Sequence, residues 1–183
     1  MEKKESIRKK FFLIRKKKYF QVEVSFFYPL IDLLKKKIKD KKINISIYYP
    51  NSFEVNTLKI FEINFFKKCN FLLPIIEKNN SINFYKWNIN EILNINKYGI
   101  PEPEKTKKKT PSVILIPLLA FDGLKNRLGY GGGFYDKFLQ KYIKINKKIL
   151  TIGIAFSFQK YKKLPTNSQD VKLKYIITEK GII

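Results

Sequence analysis

FDGLKNRLGYGGGFYD, residues Phe121 to Asp136, decides the reading of this chain. It follows the apolar run Val113 to Ala120, which reads as a buried strand. It leads into Phe134 to Tyr142, where Phe134, Phe138 and Tyr142 recur at four-residue spacing and predict one face of a helix. Four glycines within five positions, Gly129, Gly131, Gly132 and Gly133, therefore stand between a strand and a helix start. Glycine accepts positive φ and lets backbone approach a ligand closely. A helix N-terminus adds free N–H groups and the positive end of the dipole, which together favour phosphate. Arg127 enters the loop with a charged fork for phosphate, and Asp136 leaves it with a hard oxygen ligand for a metal ion. The spacing excludes the two commonest nucleotide loops: G-x-x-x-x-G-K-[ST] is absent, and in G-x-G-x-x-G the last glycine is replaced by Phe134. A tight strand-to-helix turn that uses glycine for geometry alone accounts for the local chemistry equally well.

Composition narrows the chemistry. The 183 residues suit one domain, 1–183, with a substantial core. No apolar stretch reaches the roughly 18 residues that span a membrane, and Phe11 to Ile14 is too short for a signal-peptide core, so the expected location is the cytoplasm. Cys69 is the only cysteine and reads as a small buried residue; no internal disulfide is possible. Histidine is absent, which removes the usual zinc sites, Ser-His-Asp and Cys-His arrangements, and the ordinary general base near neutral pH. The net charge of +23 invites a nucleic-acid reading. Lysine is nevertheless spread along the whole chain together with Asn, Ile and Phe, all with A/T-rich codons, and no nucleic-acid-binding motif accompanies it.

Glu2 to Phe20 predicts a basic helix, with Ile7, Phe11, Ile14 and Lys18 near one face and Lys4 and Arg8 one turn apart on another. Taken alone, Lys4 and Arg8 form a solvated charged face. Val22 to Lys39 predicts a second helix kinked or broken at Pro29. Strands are expected at Ile43 to Tyr49, Cys69 to Ile76, Ser81 to Trp87, Val113 to Ala120, Leu150 to Phe156 and Tyr175 to Thr178, and a helix at Glu54 to Phe66. Such alternation predicts an α/β fold with a mainly parallel central sheet covered on both faces. Ligands in such folds bind outside the carboxyl ends of strands. Four segments that follow expected strands can meet there: 51–56, 99–102, 127–136 and 159–170.

IPLLAFD, RLGYGGGFYDKFL, IGIAFSFQ, LPTNSQDVKL and YIITEKGI, taken in this order, resemble the 5-formyltetrahydrofolate cyclo-ligases, or methenyltetrahydrofolate synthetases. Upstream, KYGIPEP looks like the family's G-x-x-E-P element, and EVNT followed by FLLP resembles its folate-side stretch. Lys4 with Arg8 is similar to its ATP-contacting helix. The resemblance spans nearly the whole chain. It implies a three-layer α/β/α fold and a magnesium-dependent enzyme that converts 5-formyltetrahydrofolate to 5,10-methenyltetrahydrofolate and releases ADP and phosphate.

By position, Lys4 and Arg8 would contact ATP, and Arg127, Leu128, Gly129, Tyr130, Gly131, Gly132, Gly133, Phe134 and Tyr135 would wrap its phosphates, with Arg127 and Tyr135 closest to the chemistry. Tyr130 to Phe134 would also lie near the folate, as would Asn51, Asn56 and Glu102. Asp136 and Asp170 would hold Mg2+. In the family mechanism ATP phosphorylates the formyl oxygen and the second folate nitrogen displaces phosphate, so no protein nucleophile is needed and the lack of histidine is no obstacle. Three departures stand out: Asn56 occupies a position where the family usually carries an acid, Lys174 one where aspartate is common, and Asn51 one that is often apolar. Taken singly, Asp136 can serve as a helix cap, Asp170 as the start of a turn, and Glu102 as the partner of a lysine. The expected partners are ATP and 5-formyltetrahydrofolate, with or without a polyglutamate tail, bound by a monomer that uses neither nucleic acid nor membrane. The competing readings are a nucleotide-binding protein on the same fold without turnover, and a basic nucleic-acid-binding module. A phosphate backbone has no use for Asp136 and Asp170, which argues against the module.

Overall fold

Val113 and Leu115 pack into one apolar cluster, while Ile114 and Ile116 pack into another on the opposite face of the same strand. Successive side chains of a strand alternate between faces, so an unbroken apolar run signals a strand buried on both. The chain is described by a computed structural model over residues 2–38, 43–77, 81–145 and 148–183. Its helices are α1 (Lys4–Lys18), α2 (Tyr28–Lys37) and α3 (Phe134–Ile145). Its strands are β1 (Asn44–Ser46), β2 (Asn70–Ile76), β3 (Ile82–Lys86), β4 (Asn94–Ile95), β5 (Pro101–Glu102) and β6 (Val113–Pro117). They continue with β7 (Ala120–Phe121), β8 (Arg127–Leu128), β9 (Leu150–Ile154), β10 (Tyr175–Thr178) and β11 (Gly181–Ile182).

The main sheet runs in the order β11-β10-β9-β6-β1-β2-β3. From β10 to β2 every pairing is parallel; only the edges, β3 on β2 and β11 on β10, are antiparallel. One face buries Ile45, Ile47, Leu150, Ile152 and Ile154 under Phe27, Leu30 and Leu34 of the α2 region. The other packs Ile114 and Ile116 against Phe138 and Leu139 of α3. Each fully buried aliphatic or aromatic side chain is worth about 1.5–3 kcal/mol, so both helical layers are held by the strands they cover. The fold is therefore α/β with three layers. Gly153 of β9 faces the α3 side, where a Cβ would lie 2.7 Å from Leu173 and 2.8 Å from Leu118. Glycine is what lets those two leucines close over the strand.

Helix α1 stands apart from both layers. Its Ile7 and Phe11 pack on Leu119, Ala120, Leu128 and Leu164, which places the helix over the hairpin β7–β8 at the carboxyl end of the sheet. That hairpin is tied together by Asp122, a buried carboxylate that accepts the backbone N–H groups of Leu124, Asn126 and Leu164.

Two expectations are corrected, those for 54–66 and for the glycines, while the break expected at Pro29 is present. Pro29 opens the second of two helices. It sits in the first turn of α2, where its missing N–H has no intrahelical use, and the preceding turn, Val24–Phe27, is a separate 3-10 helix. Lys39 lies outside the described residues. The helix expected over 54–66 is instead two 3-10 helices, Thr57–Glu62 and Asn64–Lys68, separated by the extended Ile63. Ile60, Phe61, Ile63, Phe65 and Phe66 are weak α-helix formers, and most of them pack on the sheet rather than following one helical stripe. The glycines do not follow the central strand directly, because the hairpin β7–β8 comes between. Cys69 is half-buried against the core, and that burial pushes its thiol up to about 11. Among the described residues no helix is long and apolar enough to cross a membrane.

Candidate active site

The cleft opens where the central strands end. Pro74 and Ile76 of β2, Pro117 of β6, the 48–54 turn after β1 and the 129–133 glycine loop line a single cavity of about 700 Å³. Its position follows from topology, since the loops leaving the carboxyl ends of β1, β2 and β6 must emerge on the same side. Of the four segments expected to converge, 51–54, 100–102, 127–136 and 167–170 reach the cleft. Gln159 does not. It is buried and donates to the carbonyls of Leu118 and Leu119, so it braces the chain as it leaves β6.

The glycine loop is shaped for an anion. Gly131 adopts φ +109°, a region closed to residues with a side chain, and Gly133 follows at φ +66° just before α3 begins. Arg8 donates from Nε to the Gly129 carbonyl at 2.9 Å, and its guanidinium lies 3.6 Å from where a Gly131 Cβ would be. Arg8 is thus no solvated residue but one wall of the loop. Leu128 borders the cleft while packing with Ile7 and Phe11. Phe134 meets Tyr98 edge-on at 6.0 Å.

Two cation–carboxylate pairs stand at the loop's exit. Arg127 Nη1 lies 2.9 Å from Asp136 Oδ1, with the arginine side chain only 4% exposed. Burial lowers the Arg127 pKa, and the negative charges of Asp136 and Asp170 oppose that shift. Lys4 Nζ lies 2.6 Å from Asp170 Oδ2. Asp136 also accepts the Val171 N–H, and Asp170 that of Asn167. Neither aspartate forms part of a cluster of three or more metal-ligating side chains among the described residues. Two carboxylates nevertheless suit magnesium, which keeps waters and takes further oxygens from a bound phosphate.

The opposite wall carries Glu54, 8% exposed. Its Oε1 accepts the Tyr130 hydroxyl at 2.5 Å and its Oε2 accepts the Asn51 N–H at 2.9 Å. Burial raises the Glu54 pKa above the ordinary carboxylate range, and these hydrogen bonds oppose the rise. Tyr135 feels both Glu54 and Arg127, and burial pushes its hydroxyl well above the usual value, so near neutral pH it remains a hydrogen-bond donor.

Asn56 does not line the cleft. Its side-chain oxygen accepts the Leu58 N–H and caps the following 3-10 helix. Asn51 does line it, through the turn that Glu54 holds. Glu102 faces the cleft and pairs with no lysine among the described residues; its Oε1 accepts the Ile76 N–H and the Asn96 side-chain amide. Lys174 lies away from the cleft, its backbone joined to Thr151 of β9. The cleft-lining carboxylate missed in the sequence is Glu54. Glu54 stood inside the EVNT run, two positions before the residue chosen there.

The chain matches the 5-formyltetrahydrofolate cyclo-ligase family over residues 1–179. The chain belongs to that family. Among curated relatives, the 5-formyltetrahydrofolate cyclo-ligase of Haemophilus influenzae is 31% identical over 137 residues, covering 71% of this chain and 72% of the relative. That of Mycoplasma genitalium is 31% identical over 138 residues, covering 73% and 71%. Among solved structures, the 5,10-methenyltetrahydrofolate synthetase of Aquifex aeolicus superposes with a TM-score of 0.74 at 28% identity, covering 98% of this chain and 91% of that one. Membership makes the chain an ATP-dependent ligase of folate one-carbon metabolism that converts 5-formyltetrahydrofolate to 5,10-methenyltetrahydrofolate.

Proposed function

We propose that the cyclo-ligase reaction runs in this one cleft, with the ATP phosphates on the 129–133 loop and the folate ring on the Glu54 wall. The observation that carries this is the Tyr130–Glu54 hydrogen bond, which joins the glycine loop to the 48–54 turn across the cleft. Lys4, Arg8 and Arg127 hold the phosphates, through charge and through the loop N–H groups that Arg8 helps to shape. Arg127, nearest the start of α3, and the protonated Tyr135 face the transferred phosphate. Glu54, with one lone pair left on each oxygen, accepts a paired N–H donor such as the amino-amide edge of a pterin. Asn51 and Glu102 border the folate side, and Glu54 takes the role expected of Asn56.

Asp136 and Asp170 would hold Mg2+. When bound, the ion supplies charge neutralisation on the phosphates. The residues themselves position, desolvate and stabilise charge, and phosphoryl transfer asks for little else. We read the enzyme as a monomer. The cations nearest the loop are matched with carboxylates or loop carbonyls, which supports a nucleotide in place of a nucleic-acid backbone. We place the enzyme in the cytoplasm, with its folate.

The test is absorbance in the methenyl-folate band on mixing purified protein, 5-formyltetrahydrofolate, ATP and magnesium. The expected result is a rise that disappears when either ATP or magnesium is omitted. A folded protein that binds ATP and gives no rise would overturn the catalytic reading in favour of a nucleotide-binding protein. Binding that ignores ATP and falls steeply with salt on nucleic acid would overturn both.

A further inference from the structure

Arg15 is the most expensive residue in α1. It is 1% exposed, occupies the position two helical turns beyond Ile7 on the buried face, and forms no direct ion pair among the described residues. Nη1 donates to the Leu118 carbonyl at 3.2 Å and Nη2 to the Tyr130 hydroxyl at 2.6 Å, and the guanidinium sits 5.4 Å from the Tyr130 ring centroid. Its Nε is buried without a partner. Burying a cation costs several kcal/mol, and a methionine would fill the same space without that cost. The opposite charge reaches Arg15 only through Tyr130. The Tyr130 hydroxyl accepts from Arg15 and is thereby committed to donating to Glu54, whose other oxygen is held by the Asn51 N–H. The carboxylate is fixed at both oxygens, with its remaining lone pairs available to the cleft.

We infer that Arg15 is a positioning residue for the folate: through Tyr130 it holds the Glu54 carboxylate ionised and in place, and it ties the glycine loop to the folate wall. This rests on the reading that Glu54 meets the folate ring. The cation supports the anionic form of Glu54 at a distance, against the burial that disfavours it. Because Tyr130 belongs to the loop, the contacts that seat the nucleotide also set the geometry offered to the folate.

The test compares wild type with Arg15→Met, Tyr130→Phe and the double variant. Calorimetric titration with 5-formyltetrahydrofolate alone gives Kd, and steady-state kinetics give KM for each substrate. Each single variant is expected to weaken folate binding about tenfold, the scale of one hydrogen bond to a charged group. The double variant should be no weaker than the worse single, because both interrupt one chain of contacts. KM for ATP should change far less, and Arg15→Lys should recover part of the loss. Tyr130→Phe keeps the ring and leaves Arg15 on Leu118, so it remains informative if Arg15→Met fails to fold. A lowered Tm with unchanged folate Kd in Tyr130→Phe would make the chain of contacts purely structural and overturn the inference. Additive losses in the double variant would overturn it as well. A wild type that binds no folate would instead sink the reading beneath it.

Discussion

Asp136→Asn is expected to lower turnover by at least about a hundredfold at saturating ATP and folate, with the fold retained. The choice of Asn over Ala matters. Asp136 is the partner of Arg127, whose side chain is almost wholly inside the protein. Removing a partner from a buried charge leaves that charge uncompensated, at a cost of several kcal/mol. Asp136→Ala would therefore confound lost chemistry with lost stability. Asparagine also gives up the charge that a metal ion requires and that faces Arg127, but it keeps an acceptor for Arg127 Nη1 and for the Val171 N–H, which limits the cost to the fold. The magnesium concentration for half-maximal rate should rise together with the fall in turnover. An unchanged rate at saturating magnesium would remove Asp136 from the metal assignment, and thermal melting of the same preparation would show whether the fold had survived.

The second large effect falls on the folate side. Glu54→Gln is expected to weaken 5-formyltetrahydrofolate binding by about tenfold to a hundredfold, as a charged hydrogen-bonding partner becomes neutral. Asn56→Ala should leave that affinity alone and cost about 1 kcal/mol of stability, since the residue only caps a 3-10 helix. Equal losses of affinity in the two variants, or a loss in Asn56→Ala alone, would restore the original assignment. The pH dependence separates function from stability. The folded-state pKa of Glu54 is raised, so its contribution to stability is complete below its unfolded value and is lost as pH rises through the folded one. Glu54→Gln removes that titration, so its stability should fall less steeply than that of wild type as pH rises, while it binds folate worse.

The sheet was legible because its signal is local. Val113 to Ile116 is apolar on both faces, as a doubly covered parallel strand requires. The glycine loop was legible because few residues tolerate its geometry. Segment 54–66 misled because its apolar residues suit a helix by count, while their packing and weak helix preference favour short tight turns. Asn56 misled for a related reason. In EVNT two polar side chains lie two positions apart, and nothing local says which faces the cleft and which caps the next turn. Arg15 was hidden inside KKFFLIRKKK, where one arginine among many cations reads as surface. The clue was its spacing, four beyond Phe11 and eight beyond Ile7, which puts it on the face that both of those residues bury.

The two ion pairs at the loop's exit have a consequence for the order of events. Each carboxylate assigned to the metal is already matched with a cation assigned to the phosphates, Asp136 with Arg127 and Asp170 with Lys4. A magnesium ion arriving alone would have to displace an ammonium or a guanidinium and leave it stranded. A nucleotide arriving alone would draw the cations away and strand the aspartates. When the two arrive together, partners are exchanged and no charge is orphaned. On that assignment the site would favour the metal–nucleotide complex over either component alone, because only the complex leaves the buried Arg127 matched.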